Sequence, residues 1–114
     1  MITLYGIKNC DTVRKARKWL DSQNIRYRFH DFREDGLEKS QVQQWLSELG
    51  WESLINKRST TWKTLSDDTK SRLNDQTAAD IVIQSPTLIK RPVLDTGNNR
   101  ILGFRESDYQ HLFS

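Results

Sequence analysis

Cys10 is the only cysteine in this 114-residue chain, and it stands where a sulfur nucleophile can be made. It follows an apolar stretch, Met1-Ile-Thr-Leu-Tyr5, that reads as a short strand. It precedes a run beginning at Asp11 that reads as a helix. A side chain at such a junction meets unpaired backbone N–H groups and the positive end of the helix dipole. Both favour the thiolate, the form of cysteine that attacks. Lys8 and Arg14 add positive charge nearby. Attack by one sulfur leaves an adduct that another thiol must resolve. With no second cysteine here, that thiol is external.

An anionic substrate calls for planar donors, and the guanidinium fork of arginine matches carboxylates and tetrahedral oxyanions. Three arginines follow turns or strand ends that can return toward Cys10. Arg58 lies in Asn56-Lys-Arg-Ser-Thr60, Arg91 directly precedes Pro92, and Arg105 follows the last strand. Pro92 opens a strand, where its missing N–H is tolerated. On general grounds only about 5–6% of such X-Pro bonds are cis. Other chemistries find little support. His30 alternates with Arg26 and Arg28 and is expected to face solvent, and His111 is remote from it, so no metal site is expected. Ser59, Thr60 and Thr61 have no His–Asp partner in view. Trp45, Trp51 and Trp62 read as packing residues.

The elements that must position these groups follow from periodicity. Val13, Ala16 and Leu20 mark one face of a helix over about Thr12–Gln23. Ile25, Tyr27 and Phe29 alternate with polar residues, a half-buried strand that completes a βαβ unit. Asp35-Gly36 is a turn. Val42, Trp45, Leu46 and Leu49 predict a helix that Gly50 ends, with capping-box spacing at Ser40 and Gln43. Asn56–Thr61 reads as loop. Short helices are expected near Asp67–Leu73 and Ala78–Gln84, closed by Pro86. Pro92–Asp95 and Arg100–Gly103 flank Thr96-Gly-Asn-Asn99, turn chemistry that predicts an antiparallel hairpin. Glu106–Phe113 reads as a closing helix with Tyr109, Leu112 and Phe113 inward. The order βαβ, helices, ββα is that of an α/β thioredoxin-like fold with a mixed sheet and an inserted helical subdomain.

The net charge of +3, from 18 basic and 15 acidic residues, is mild and has no long Lys/Arg block. Direct nucleic-acid binding is therefore not expected, whereas attraction of a small anion is. No apolar run reaches membrane-spanning length and no secretory leader is visible. A lone cysteine suits a reducing, cytoplasmic setting.

Four stretches carry a family resemblance over essentially the whole chain. They are Tyr5-Gly-Ile-Lys-Asn-Cys-Asp-Thr-Val-Arg-Lys-Ala16, Ile55-Asn-Lys-Arg-Ser-Thr-Thr-Trp62, Ser85-Pro-Thr-Leu-Ile-Lys-Arg-Pro92 and Gly103-Phe-Arg-Glu106. The chain resembles the arsenate reductase (ArsC) family, and within it the YffB and Spx-like branch. The resemblance implies one domain, with a thioredoxin-like core over about 1–33 and 86–114 and a helical insertion over about 37–85. It implies a nucleophilic Cys10, an anion pocket drawn from Arg14, Arg58, Arg91 and Arg105, and a cis bond before Pro92. The alignment also allows Lys57 in place of Arg58. The activity implied is a glutathione-dependent thiol reductase without a tightly bound cofactor, working with glutathione, whose carboxylates give the arginines something to hold, and with glutaredoxin as a further candidate partner. Spx-like docking on RNA polymerase and true arsenate reduction are the alternatives. Arsenate reductases of the family carry His-Asn-Pro-x-Cys-Gly-Thr-Ser-Arg. Here Gly6 replaces the His and Asp11 the Gly, and the added negative charge opposes a dianionic substrate. Val13 stands where the Spx switch has its second cysteine.

Overall fold

The computed structural model describes residues 2–114. The chain divides into two compact units. One runs up to Asp35 and resumes over Arg91–Ser114, and the other is Gly36–Lys90.

The first unit is built on a four-stranded mixed sheet. Strands β1 (Thr3–Gly6), β2 (Arg28–Asp31), β3 (Val93–Asp95) and β4 (Arg100–Leu102) lie in the order β2-β1-β3-β4. β1 and β2 pair in parallel, with Tyr5 opposite His30 and Gly6 opposite Asp31. β3 runs antiparallel to both β1 and β4. Helix α1 (Asp11–Ser22) is the crossover between the parallel strands, and its buried residues Val13, Ala16, Trp19 and Leu20 follow the expected face. The closing helix, Glu106–Phe113, joins α1 in one core cluster with Leu4 and Leu94 of the sheet. Ile25, Tyr27 and Phe29 pack against that cluster, half-buried as their alternation predicts. The hairpin forms where turn chemistry places it: Thr96 N–H donates to the Asn99 carbonyl at 3.0 Å, and Gly97 takes the positive φ such a turn needs.

Two local expectations are corrected. β2 begins at Arg28, three residues beyond the start of the apolar alternation, because Ile25 is still tied to α1 through its N–H to Leu20. His30 does not face solvent freely. Register sets it across from Tyr5, and the two rings lie 4.9 Å apart, so His30 is half-buried.

The second unit is helical. α2 (Lys39–Leu49) and α6 (Thr77–Gln84) bury Val42, Trp45 and Leu46 and Ala78, Ala79 and Val82, and Lys39 pairs with Asp80 at 2.8 Å. Glu38 is the N-cap of α2, so Ser40 lies inside the helix and no capping box forms. Gly50 ends α2 with φ of 80°, a backbone few other residues accept. Three short helices follow: α3 (Trp51–Leu54), α4 (Thr60–Thr64) and α5 (Asp67–Ser71). The segment expected to be loop at Asn56–Thr61 thus runs into α4, with the Ser59 hydroxyl accepting from the Trp62 N–H. Residues 86–90 belong to this unit because Asn56 N–H donates to the Leu88 carbonyl and Lys90 N–H to that of Leu54. With α7 the closing helix at Glu106–Phe113, no helix of the described residues is long and apolar enough to cross a membrane.

Candidate functional site

Three backbone segments leave the first unit's sheet at one end. β1 stops at Gly6 and the chain runs through Ile7-Lys8-Asn9 to Cys10. β3 starts at Val93, opposite Tyr5, so Arg91 and Pro92 arrive beside the end of β1. β4 stops at Leu102 opposite Val93, and the Gly103 N–H then bonds the Pro92 carbonyl at 2.9 Å. That bond ties the Gly103–Arg105 segment to Pro92. Cys10, Arg91, Pro92 and Arg105 are therefore gathered by topology although more than ninety positions of sequence separate the first from the last.

Cys10 is the N-cap of α1, half-buried, with extended backbone. Its N–H donates to the Ile7 carbonyl at 3.2 Å, and its own carbonyl accepts from the Arg14 N–H at 3.0 Å. The sulfur takes no capping hydrogen bond, which leaves it, among the described residues, uncommitted at the positive end of a 12-residue helix. The Arg91–Pro92 bond is cis. Arg105 is exposed and caps α7 through its carbonyl, which accepts from Asp108 and Tyr109.

The cations divide into two groups. Arg14 Nη1 lies 2.6 Å from Asp11 Oδ1, and Lys8 Nζ lies 2.8 Å from Glu34 Oε2. Glu34 raises the Lys8 pKa, by hydrogen bond first and by charge second. Both cations near Cys10 in sequence are thus already matched to carboxylates, and the expectation that they act as free charges on the sulfur is corrected. Among the described residues, the guanidinium groups of Arg58, Arg91 and Arg105 have no carboxylate within ion-pair distance.

Arg58 belongs to the second unit, where its N–H donates to Asn56 Oδ1 and its side chain is exposed. Its neighbour Lys57 is engaged otherwise: the ammonium lies over the Trp51 ring at 5.1 Å and the Trp62 ring at 6.0 Å. Cation–π attraction occupies Lys57, so of the two alternatives in this loop Arg58 is the uncommitted cation. Trp51 and Trp62 hold a lysine as well as packing.

Sequence reasoning missed Asp31. This carboxylate, 3% exposed, ends β2. Its Oδ2 accepts from the Lys8 N–H at 3.2 Å, and its Oδ1 accepts from Arg33 N–H at 2.7 Å and Glu34 N–H at 3.2 Å. Burial alone would raise its pKa, but the three backbone donors and Lys8 outweigh it, and the carboxyl lies below its ordinary value. The Asp31-x-Arg33 spacing is that of an Asx turn, a signal available in sequence for the turn but not for the contact to Lys8.

Known proteins resemble this chain over all or nearly all of its length. The chain is 47% identical over 114 residues to an uncharacterized protein of Haemophilus influenzae, covering 100% of both. It is 30% identical over 110 residues to the global transcriptional regulator Spx of Streptococcus agalactiae, covering 95% of this chain and 80% of that protein. A solved YffB protein superposes with a TM-score of 0.95 at 36% identity over 100% of both chains. The model of the ArsC family matches residues 5–112. That match runs from β1 into α7 and so through every residue gathered at the sheet end, and the chain belongs to the ArsC family.

Proposed function

We propose that this protein is a glutathione-dependent thiol reductase with Cys10 as nucleophile. The observation that carries the reading is the pairing of one uncommitted sulfur at a helix start with two arginines, Arg91 and Arg105, brought to the same sheet end without carboxylate partners. The Cys10 thiolate attacks the glutathione sulfur of a mixed disulfide. A Cys10–glutathione disulfide forms, and the substrate leaves as thiolate and takes a proton from water. A second glutathione thiolate attacks that adduct, releasing oxidised glutathione and restoring Cys10. The substrate disulfide is reduced by two electrons and two glutathiones are joined. The arginines hold glutathione carboxylates. Arg58, in the helical unit, is a separate candidate for binding an anion. Arg14 joins Arg91 and Arg105 only when Asp11 releases it. Glutaredoxin is a candidate partner for the second step. No cofactor is required.

The test is a coupled assay with a glutathionylated peptide, glutathione, glutathione reductase and NADPH. Activity should vanish in Cys10→Ser. Arg91→Gln and Arg105→Gln should each raise the glutathione concentration giving half-maximal rate roughly tenfold, the effect of losing one charge-assisted bond. Mass spectrometry should find one glutathionyl group on Cys10. Full turnover in Cys10→Ser would falsify the reading.

Identity to Spx favours one second reading, in which this scaffold docks on RNA polymerase. On that reading Cys10→Ser leaves polymerase binding in a pull-down with the purified enzyme unchanged, and the coupled assay shows no turnover. Arsenate reduction is a third reading. Arsenate-dependent NADPH oxidation in the same coupled system tests it, and Asp11 weighs against it.

A further inference from the structure

Asp31 stands on β2, yet one of its oxygens reaches the loop that delivers Cys10. Along that loop Ile7 is 4% exposed and its carbonyl accepts the Cys10 N–H, while the Lys8 N–H between them is held by Asp31 Oδ2. The other oxygen closes the Asp31–Asp35 turn through Arg33 and Glu34. That turn is itself braced, since Asp35 Oδ2 accepts the Asp31 N–H at 2.9 Å and the Asp35 N–H donates to the Asp31 carbonyl at 2.8 Å. Glu34 adds a second tie to the same loop through the Lys8 ammonium. A buried carboxylate that bonds only backbone N–H groups of two separate segments fixes their spacing. Here the segments are the end of β2 and the three residues before the sulfur.

We propose that Asp31 is a positioning residue for Cys10, latching the Ile7–Asn9 loop so that the sulfur stays at the N-terminus of α1. The proposal rests on the reading of Cys10 as nucleophile and adds to it a residue that touches neither sulfur nor substrate. Its chemistry is specific to a carboxylate. Asparagine at this position keeps one oxygen for Arg33 and Glu34 but turns an NH2 toward the Lys8 N–H, donor against donor. Asp31→Asn therefore opens the latch and spares the turn.

The experiment compares the unaltered protein with Asp31→Asn, both confirmed folded by circular dichroism. Amide hydrogen exchange is read at Lys8 and Asn9, and the rate of Cys10 alkylation by iodoacetamide at neutral pH is read in parallel. Alkylation needs only a thiol, so failure of the glutathione reading leaves this test intact. Lys8 should be protected in the unaltered protein and not in the variant. Alkylation should slow roughly two- to fivefold, the order of the helix N-terminal field that a displaced sulfur would lose. An unchanged rate makes Asp31 merely structural and overturns the proposal. A faster rate also overturns it, because the removed negative charge would then outweigh any loss of position. If the variant does not fold, Lys8 exchange in the unaltered protein still decides: an amide as labile as that of Asn9 means no latch.

Discussion

A carboxylate 2.6 Å from the Arg14 guanidinium changes what an anion meets on approaching Cys10. Asp11 follows the sulfur directly in sequence and is 85% exposed at its side chain, so it adds negative charge at the helix start while occupying the arginine nearest in sequence. An exposed pair one helical turn apart is weak, and salt screens it. Its effect is therefore one of selection among reagents rather than of stability. Iodoacetate and iodoacetamide alkylate the same sulfur and differ by one charge. Asp11→Asn should raise the ratio of their rates by roughly two- to fivefold at low salt, and the gain should shrink at high salt. A ratio that stays constant would show that Asp11 does not govern anion access. The same residue-scale logic separates Lys57 from Arg58. Sequence leaves both open, and only the two indoles over Lys57 distinguish them.

At the scale of elements, the approach of α1 to β1 depends on Gly6. A Cβ built there would lie 2.7 Å from Val13 Cγ2, closer than packed atoms come. Gly6 and Val13, which stand where the arsenate reductase pattern has its histidine and the Spx pattern its second cysteine, thus lie side by side. Gly6→Ala should destabilise by about 1–3 kcal/mol, the usual range for overpacking, and should shift the start of α1 that carries Cys10. Val13→Ala in the same chain removes the colliding methyls. The double variant should then be more stable than the sum of the single changes requires, by roughly 1 kcal/mol in urea unfolding. Strict additivity would mean that the helix simply moves aside. Much at this scale was legible in sequence. The faces of α1 and α2 show in their apolar spacing, and the β3–β4 hairpin in its turn residues. α3 and α4 were not, because helices of four and five residues contain barely one turn and carry no period. Only the Ser59 cap marked α4. At the site, Cys10 was legible because its chemistry and its place at a strand–helix junction are both local. Asp31 was not, because it acts across 23 positions through a backbone N–H, and a backbone donor leaves no trace in residue type.

At the scale of the molecule, two buried groups make stability depend on pH in opposite directions. Asp31 is held ionised in the folded chain, with its pKa below the ordinary carboxylate value. The unfolded chain therefore binds its proton first as pH falls. The stability it contributes is present above about pH 4, the unfolded carboxylate value, and is lost as acid approaches the folded pKa. Asp31→Asn should flatten the acid limb of the stability curve while lowering its plateau. Tyr109 contributes to the opposite limb. It is wholly buried, edge-on to Trp19 at 5.6 Å and to Phe104 at 4.8 Å, and its hydroxyl has no hydrogen-bond partner among the described residues. Burial drives its pKa well above the ordinary tyrosine value. Above about pH 10 the unfolded chain ionises Tyr109 while the folded chain does not, so stability falls as pH rises. Tyr109→Phe keeps both ring contacts and removes the unpartnered hydroxyl. At neutral pH it should leave stability unchanged or raise it by about 1 kcal/mol, since an unpaired buried hydroxyl costs about that much. Between pH 10 and 11 it should weaken the alkaline limb, measured as urea midpoints at each pH. A loss of stability at neutral pH would show instead that the hydroxyl is hydrogen-bonded within the core, and the alkaline limb would then need another source.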